Sequence, residues 1–135
     1  MTKVIQQSVV FKASTKELFE IYVDSKKHTA ATGAKASVSR SVGGRFSAWD
    51  GSIYGRNLVV ASNRMIVQAW RAAHWKMADL DSILVITFSE ASSGCRVDIV
   101  HSNVPEYDHK GVKEGWPKYY WQPWKAYLKK EKDEA

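Results

Sequence analysis

The chain has 135 residues, 44% hydrophobic and 25% charged, which fits one domain over residues 1–135 and excludes a mostly disordered chain. No apolar run approaches the ~20 residues of a membrane span. Met1 to Phe11 lacks the basic-then-apolar layout of a signal peptide, and the lone Cys95 excludes an internal disulfide and a multi-cysteine metal site; a cytoplasmic protein is expected. The net charge of +6 is uneven, with eleven Lys/Arg against four acids in residues 1–71. No tight basic cluster accompanies it, so a nucleic-acid partner is not expected.

In chain order, Val4 to Phe11 reads as a strand. Ser14-Thr15-Lys16-Glu17 has the form of a capping box, and Leu18, Phe19 and Tyr22 give the following helix its apolar stripe. A second short helix starts at Asp24 or Ser25 and stops at Gly33. The pattern then turns to period two. Ala36 to Ser39 is a short strand, Gly43-Gly44 a turn or bulge, and Phe46 to Trp49 a strand closed by Asp50-Gly51. Ile53–Val60, Met65–Arg71, Ser82–Phe88 and Cys95–His101 follow as strands, with turns at Ser62-Asn63 and Ser92-Ser93-Gly94, a loop at Asp79–Asp81, and Val104-Pro105 ending the sheet.

A long helix is expected over residues 111–130, kinked or starting late near Pro117. Three Trp and three Tyr crowd residues 116–127 of it. At 100° per residue, Val112, Trp116, Tyr119, Tyr120, Pro123 and Tyr127 share one face, and Lys118, Lys125 and Lys129 the other. Short turns make neighbouring strands antiparallel, and a sheet of about six strands after the two helices curls under its own twist. The apolar face of the long helix then has one place to go, the concave side of that sheet. The fold class is α+β, with the sheet wrapped around the C-terminal helix and two short helices after the first strand.

Alternation assigns faces: Phe46 with Ala48; Ile66, Gln68 and Trp70; Ser82, Leu84, Ile86 and Phe88; Val97, Ile99 and His101. These sets point at the long helix and bring Trp70, His101 and Trp116 together. Mostly apolar walls with a few convergent polar groups are the profile of a small-molecule site. The expected ligand contacts are the rings of Phe46, Trp70, Phe88, Trp116 and Tyr120, with His101 and Gln68 as polar anchors. The competing reading is a filled core with His101 satisfied internally. No catalytic residue is assigned: nucleophile elbow, P-loop and dinucleotide fingerprint are absent. The four histidines lack ligand spacing, so no metal and no cofactor is expected.

Four segments carry a family resemblance: Gly43-Gly44-Arg45-Phe46-Ser47 with Asp50-Gly51; Ile66-Val67-Gln68-Ala69-Trp70-Arg71; Val97-Asp98-Ile99-Val100-His101 with Val104-Pro105; and Gly115-Trp116 with Tyr119-Tyr120-Trp121. In this order they resemble the C-terminal-domain family of the activator of heat shock protein 90 ATPase, within the START-like (SRPBCC, birch-pollen-allergen-like) superfamily. The likeness covers roughly residues 5–128. It implies a helix-grip fold, a cavity for an apolar small molecule, and, as an alternative, a co-chaperone-like module of the stress response whose basic first half meets a chaperone. Some superfamily members are cyclases, so a cyclase-like or hydrolase-like enzyme is the third reading.

Overall fold

A computed structural model describes residues 1–134. Strand β1 (Thr2–Phe11) is followed by helices α1 (Thr15–Val23) and α2 (Ser25–Thr32). The capping box forms as read: Ser14 Oγ accepts from the Glu17 amide at 3.1 Å, and Glu17 Oε1 accepts from the Ser14 amide at 3.2 Å. Asp24 ends α1 and caps α2, and Gly33 closes α2 at φ 83°, a backbone state that costs glycine little. Leu18, Phe19 and Tyr22 are buried, as their helical spacing requires.

Six strands follow: β2 (Ser37–Val38), β3 (Arg45–Ala48), β4 (Ile53–Ala61), β5 (Met65–Ala72), β6 (Ser82–Ala91) and β7 (Gly94–Pro105). With β1 they form one antiparallel sheet of order β1-β7-β6-β5-β4-β3-β2. The first strand therefore returns to pair with the last, Val9 against Val97 and Phe11 against Cys95. The alternation holds: Phe46, Ala48, Ile66, Gln68, Trp70, Ser82, Leu84, Ile86, Phe88, Val97, Ile99 and His101 are all buried on the side facing the helices. Strand β5 ends at Ala72, and Trp75 lies in the next turn, yet is buried. Trp121 is buried as well.

The C-terminal helix departs from the expected wheel. It begins before Pro117, as α3 (His109–Trp116), passes through one π-helical turn (Pro117–Trp121), and continues as α4 (Gln122–Glu134). There is no late start at Pro117. The buried residues are Val112, Trp116, Tyr120, Trp121, Trp124 and Leu128. Tyr119 is 41% exposed, and Pro123 and Tyr127 are only half-buried. A spacing of four drifts about 40° per step on an ideal α-helix. The wider π turn takes up that drift and keeps residues 112, 116, 120, 124 and 128 in line.

Pro117 supplies the local cause. It has no amide hydrogen for the carbonyl of Lys113. Gln7 of β1 fills the gap: its Nε2 donates to Lys113 O at 2.9 Å, and its Oε1 accepts from Trp121 Nε1 at 2.7 Å. One strand side chain thus patches the helix and turns Trp121 inward.

Candidate functional site

Where β3–β5 meet α3, a cleft of about 420 Å³ opens to solvent. Its walls are Trp49, Trp70, Trp116, Tyr119 and Tyr120, with Ile53, Ala72 and Val112 between them. Trp49 leaves β3 at φ 53°, the first of three left-handed residues with Asp50 (56°) and Gly51 (88°). That turn lays the Trp49 ring edge-on to Tyr119, with centroids 4.9 Å apart. On the helix side Gly111 and Gly115, one turn apart, leave room between Val112, Trp116, Tyr119 and Tyr120. At the mouth, Asp108 accepts from Trp75 Nε1 at 2.7 Å and lies 3.0 Å from His74 Nε2.

Behind the walls run three buried chains of hydrogen bonds. In the first, Trp116 Nε1 donates to His101 Nδ1 at 3.2 Å, His101 Nε2 lies 2.8 Å from Ser82 Oγ, and Ser82 Oγ donates to the Trp70 carbonyl at 2.6 Å. This order fixes the tautomer: the His101 proton sits on Nε2, and Nδ1 must stay bare. Burial pushes the imidazole down to about 3, so the ring is neutral.

In the second chain, His28 Nδ1 faces the Tyr22 carbonyl at 2.9 Å, so its Nε2 accepts from the Tyr120 hydroxyl at 3.1 Å. Burial lowers the His28 pKa and raises that of Tyr120. In the third, Tyr22 donates to Gln68 Oε1 at 2.6 Å. Gln68 Nε2 donates to Asn57 Oδ1 at 3.0 Å, and Asn57 donates to the Ser39 carbonyl at 2.7 Å. One group is left over at the cleft itself. The buried Trp49 Nε1 is directed toward the Tyr120 oxygen without reaching hydrogen-bond geometry.

Of the residues expected to contact a ligand, Trp70, Trp116 and Tyr120 line the cleft. Trp70 and Trp116 lie with centroids 6.4 Å apart, and His101 stands edge-on to Trp70 at 4.6 Å. His101 and Gln68 sit behind the wall, with their polar atoms engaged as above. Phe46 is buried beside Gly55, where a Cβ would meet the Ala69 carbonyl at 1.8 Å and Phe46 Cε1 at 2.9 Å. Phe88 packs edge-on against Phe19 at 5.7 Å, away from the cleft. Asp79 and Asp81, in the expected loop before β6, brace that loop: Asp79 accepts from Tyr107, and Asp81 pairs with Arg71 at 2.8 Å.

Trp49, Gly111 and Gly115 escaped the sequence reading. The glycine pair at i and i+4 was the available signal. Among the described residues, no group of three or more His, Cys, Asp or Glu is placed to hold a metal ion. No helix of the described residues is long and apolar enough to cross a membrane.

Comparison with known proteins places this geometry in a family. A solved HSP90 activator from Plasmodium falciparum superposes with a TM-score of 0.79 at 25% identity, covering 95% of this chain and 96% of that one. A structure from Mesorhizobium loti reaches a TM-score of 0.82 at 20% identity, covering 95% and 98%, and speaks to the fold alone. The activator of 90 kDa heat shock protein ATPase homolog of Dictyostelium discoideum is 30% identical over 116 residues, which are 85% of this chain and 30% of that protein. The chain thus spans about a third of the length of the curated relatives it matches. The family model described as Activator of Hsp90 ATPase homolog 1-like protein matches residues 12–129, and the chain belongs to that family.

Proposed function

We propose that this protein is a non-enzymatic binding domain that takes a flat apolar or aromatic small molecule into the cleft between β3–β5 and α3. The observation that carries this reading is the pair of glycines in the helix wall. Gly111 and Gly115 both face the cleft, although each glycine inside a helix costs about 1 kcal/mol relative to alanine. An alanine at 115 would meet its nearest neighbour, Tyr119 Cδ2, at 3.4 Å, an ordinary contact. Packing therefore does not demand glycine at 115, and an open cleft would favour it there; at 111 an added Cβ would already crowd Asp108 Oδ1 at 2.9 Å.

Trp70, Trp116 and Tyr120 are the direct contacts of the proposed ligand. His101 holds Trp70 and Trp116 from behind, whereas Phe46, Gln68 and Phe88 lie in the core and are not proposed as contacts. Ring burial would contribute roughly 25 cal/mol per Å² removed from water, less the cost of ordering the ligand. The lone buried Cys95 is in keeping with a reducing, cytoplasmic setting.

The test is titration with 1-anilinonaphthalene-8-sulfonate and a panel of planar aromatics, read by tryptophan fluorescence and melting temperature. Saturable binding is expected, with a loss of at least tenfold in Gly115→Leu, which fills the cleft from a good helix former. If no compound moves either signal, or if Gly115→Leu binds as well as wild type, the cleft is not the site.

A second reading, engagement of a chaperone, is favoured by the Plasmodium activator, of whose solved chain this one covers 96%. Binding to heat shock protein 90 that weakens as salt rises would support it. Absence of binding at low ionic strength would remove it.

A further inference from the structure

The sheet face turned away from the helices bears no helix, and its register builds an unusual surface. Val59, Val67, Val85 and Val100 stand side by side across β4, β5, β6 and β7. Val59 is 38% and Val100 40% exposed, and the two between them are half-buried. The solvated face of an antiparallel sheet ordinarily carries polar residues, and contiguous exposed apolar patches mark interaction sites.

The adjacent row runs Arg45, Arg56, Ala69, Ile83. Arg45 and Arg56 are direct cross-strand partners and both are exposed. Like charges placed so are destabilising, and neither arginine has a salt bridge among the described residues. Arg71 and Arg96, by contrast, pair with Asp81 at 2.8 Å and Asp98 at 2.9 Å.

One occupant relieves both features: a protein surface with an apolar strip bordered by carboxylates. A second copy of this chain fits poorly. Two copies at +6 each repel, and Asp81 and Asp98 are already paired. We propose that this convex face, the valine row with the Arg45–Arg56 pair, docks an acidic protein partner, and that the partner is heat shock protein 90. The proposal rests on the chaperone reading above and adds to it the surface used.

The experiment measures binding of the full chain to purified heat shock protein 90 by calorimetry at low and moderate ionic strength. Four proteins are compared: wild type, R45E/R56E, V67T/V85T and G115L, each checked for its melting transition. Wild type and G115L should bind alike. R45E/R56E should lose at least tenfold in affinity and most of its salt dependence, and V67T/V85T should lose several-fold. Wild-type affinity in both sheet variants overturns the convex face while the chaperone reading stands. Loss confined to G115L moves the partner to the cleft and equally overturns it. No binding by wild type removes the chaperone reading and this surface with it.

Discussion

His101 shows how a single residue sets both the stability and the shape of the cleft. Its two ring nitrogens are committed, one receiving the Trp116 indole and the other facing Ser82, so the imidazole orients the wall rings. A proton on Nδ1 would collide with the Trp116 N–H. The cost of protonation follows with a definite sign. Unfolded, the ring titrates near 6.5; folded, burial holds it to about 3. The stability tied to this group is complete above pH 6.5 and is lost as pH falls toward 3, because the unfolded chain binds a proton the native state refuses. His28 is shifted in the same direction by its own burial. Each such proton steepens the loss by about 1.4 kcal/mol per pH unit within the window. Urea midpoints should therefore fall steadily below pH 6.5. His101→Gln, which cannot titrate, should flatten that decline by about one proton while costing ~1–3 kcal/mol at pH 7 for imperfect replacement of the buried bonds. An unchanged slope in the variant would rule His101 out as its source.

At the scale of an element, the C-terminal helix depends on a residue about a hundred positions away. Gln7 supplies the donor that Pro117 denies to Lys113 and the acceptor that Trp121 needs. Gln7→Leu should therefore cost ~1–2 kcal/mol by orphaning two polar groups. In a Pro117→Ala background the amide at 117 can serve Lys113 itself, so the same substitution should cost measurably less. A double-mutant cycle of unfolding free energies with no coupling would refute the patch. This device also explains why the helix was misread from sequence. A wheel at 100° per residue has no place for a π turn, so it put Tyr119 and Tyr127 on the apolar face and left Trp121, Trp124 and Leu128 unassigned. The strands were legible because core and solvent faces alternate strictly over residues 65–72, 82–88 and 95–101, and the short helices because the Ser14–Glu17 box and Gly33 act locally. Trp49 was not legible, since three left-handed residues in succession break the alternation just where the cleft begins. Whether large rings fill a space or leave one depends on volumes summed across elements, which no local pattern records.

Across the whole molecule, stability should grade along the sheet. Strands β6 and β7 are interior, long and covered by buried rows, and β7 is locked to β1 along nearly its whole length. At the other edge β2 has two residues and β3 four. Side-chain bonds to α2 tether that edge: Ser25 Oγ accepts from the Val38 amide at 2.8 Å, and Thr29 Oγ1 accepts from the Ala36 amide at 3.0 Å. The cleft lies over this weaker edge, so its wall at Trp49 and Ile53 belongs to the part of the sheet that opens most easily. Amide hydrogen exchange should be slowest in residues 84–88 and 95–101 and faster by orders of magnitude in residues 37–48. A ligand in the cleft ties β3 and β4 to α3, which themselves meet only through side chains there. Saturation should then slow exchange in residues 45–56 and 111–120 well beyond the change in β1 or β7, whereas a partner on the convex face should protect β4–β7 alike. Uniform protection of all strands by a small molecule would mean that it raises global stability without sitting at this edge, and would place its site elsewhere.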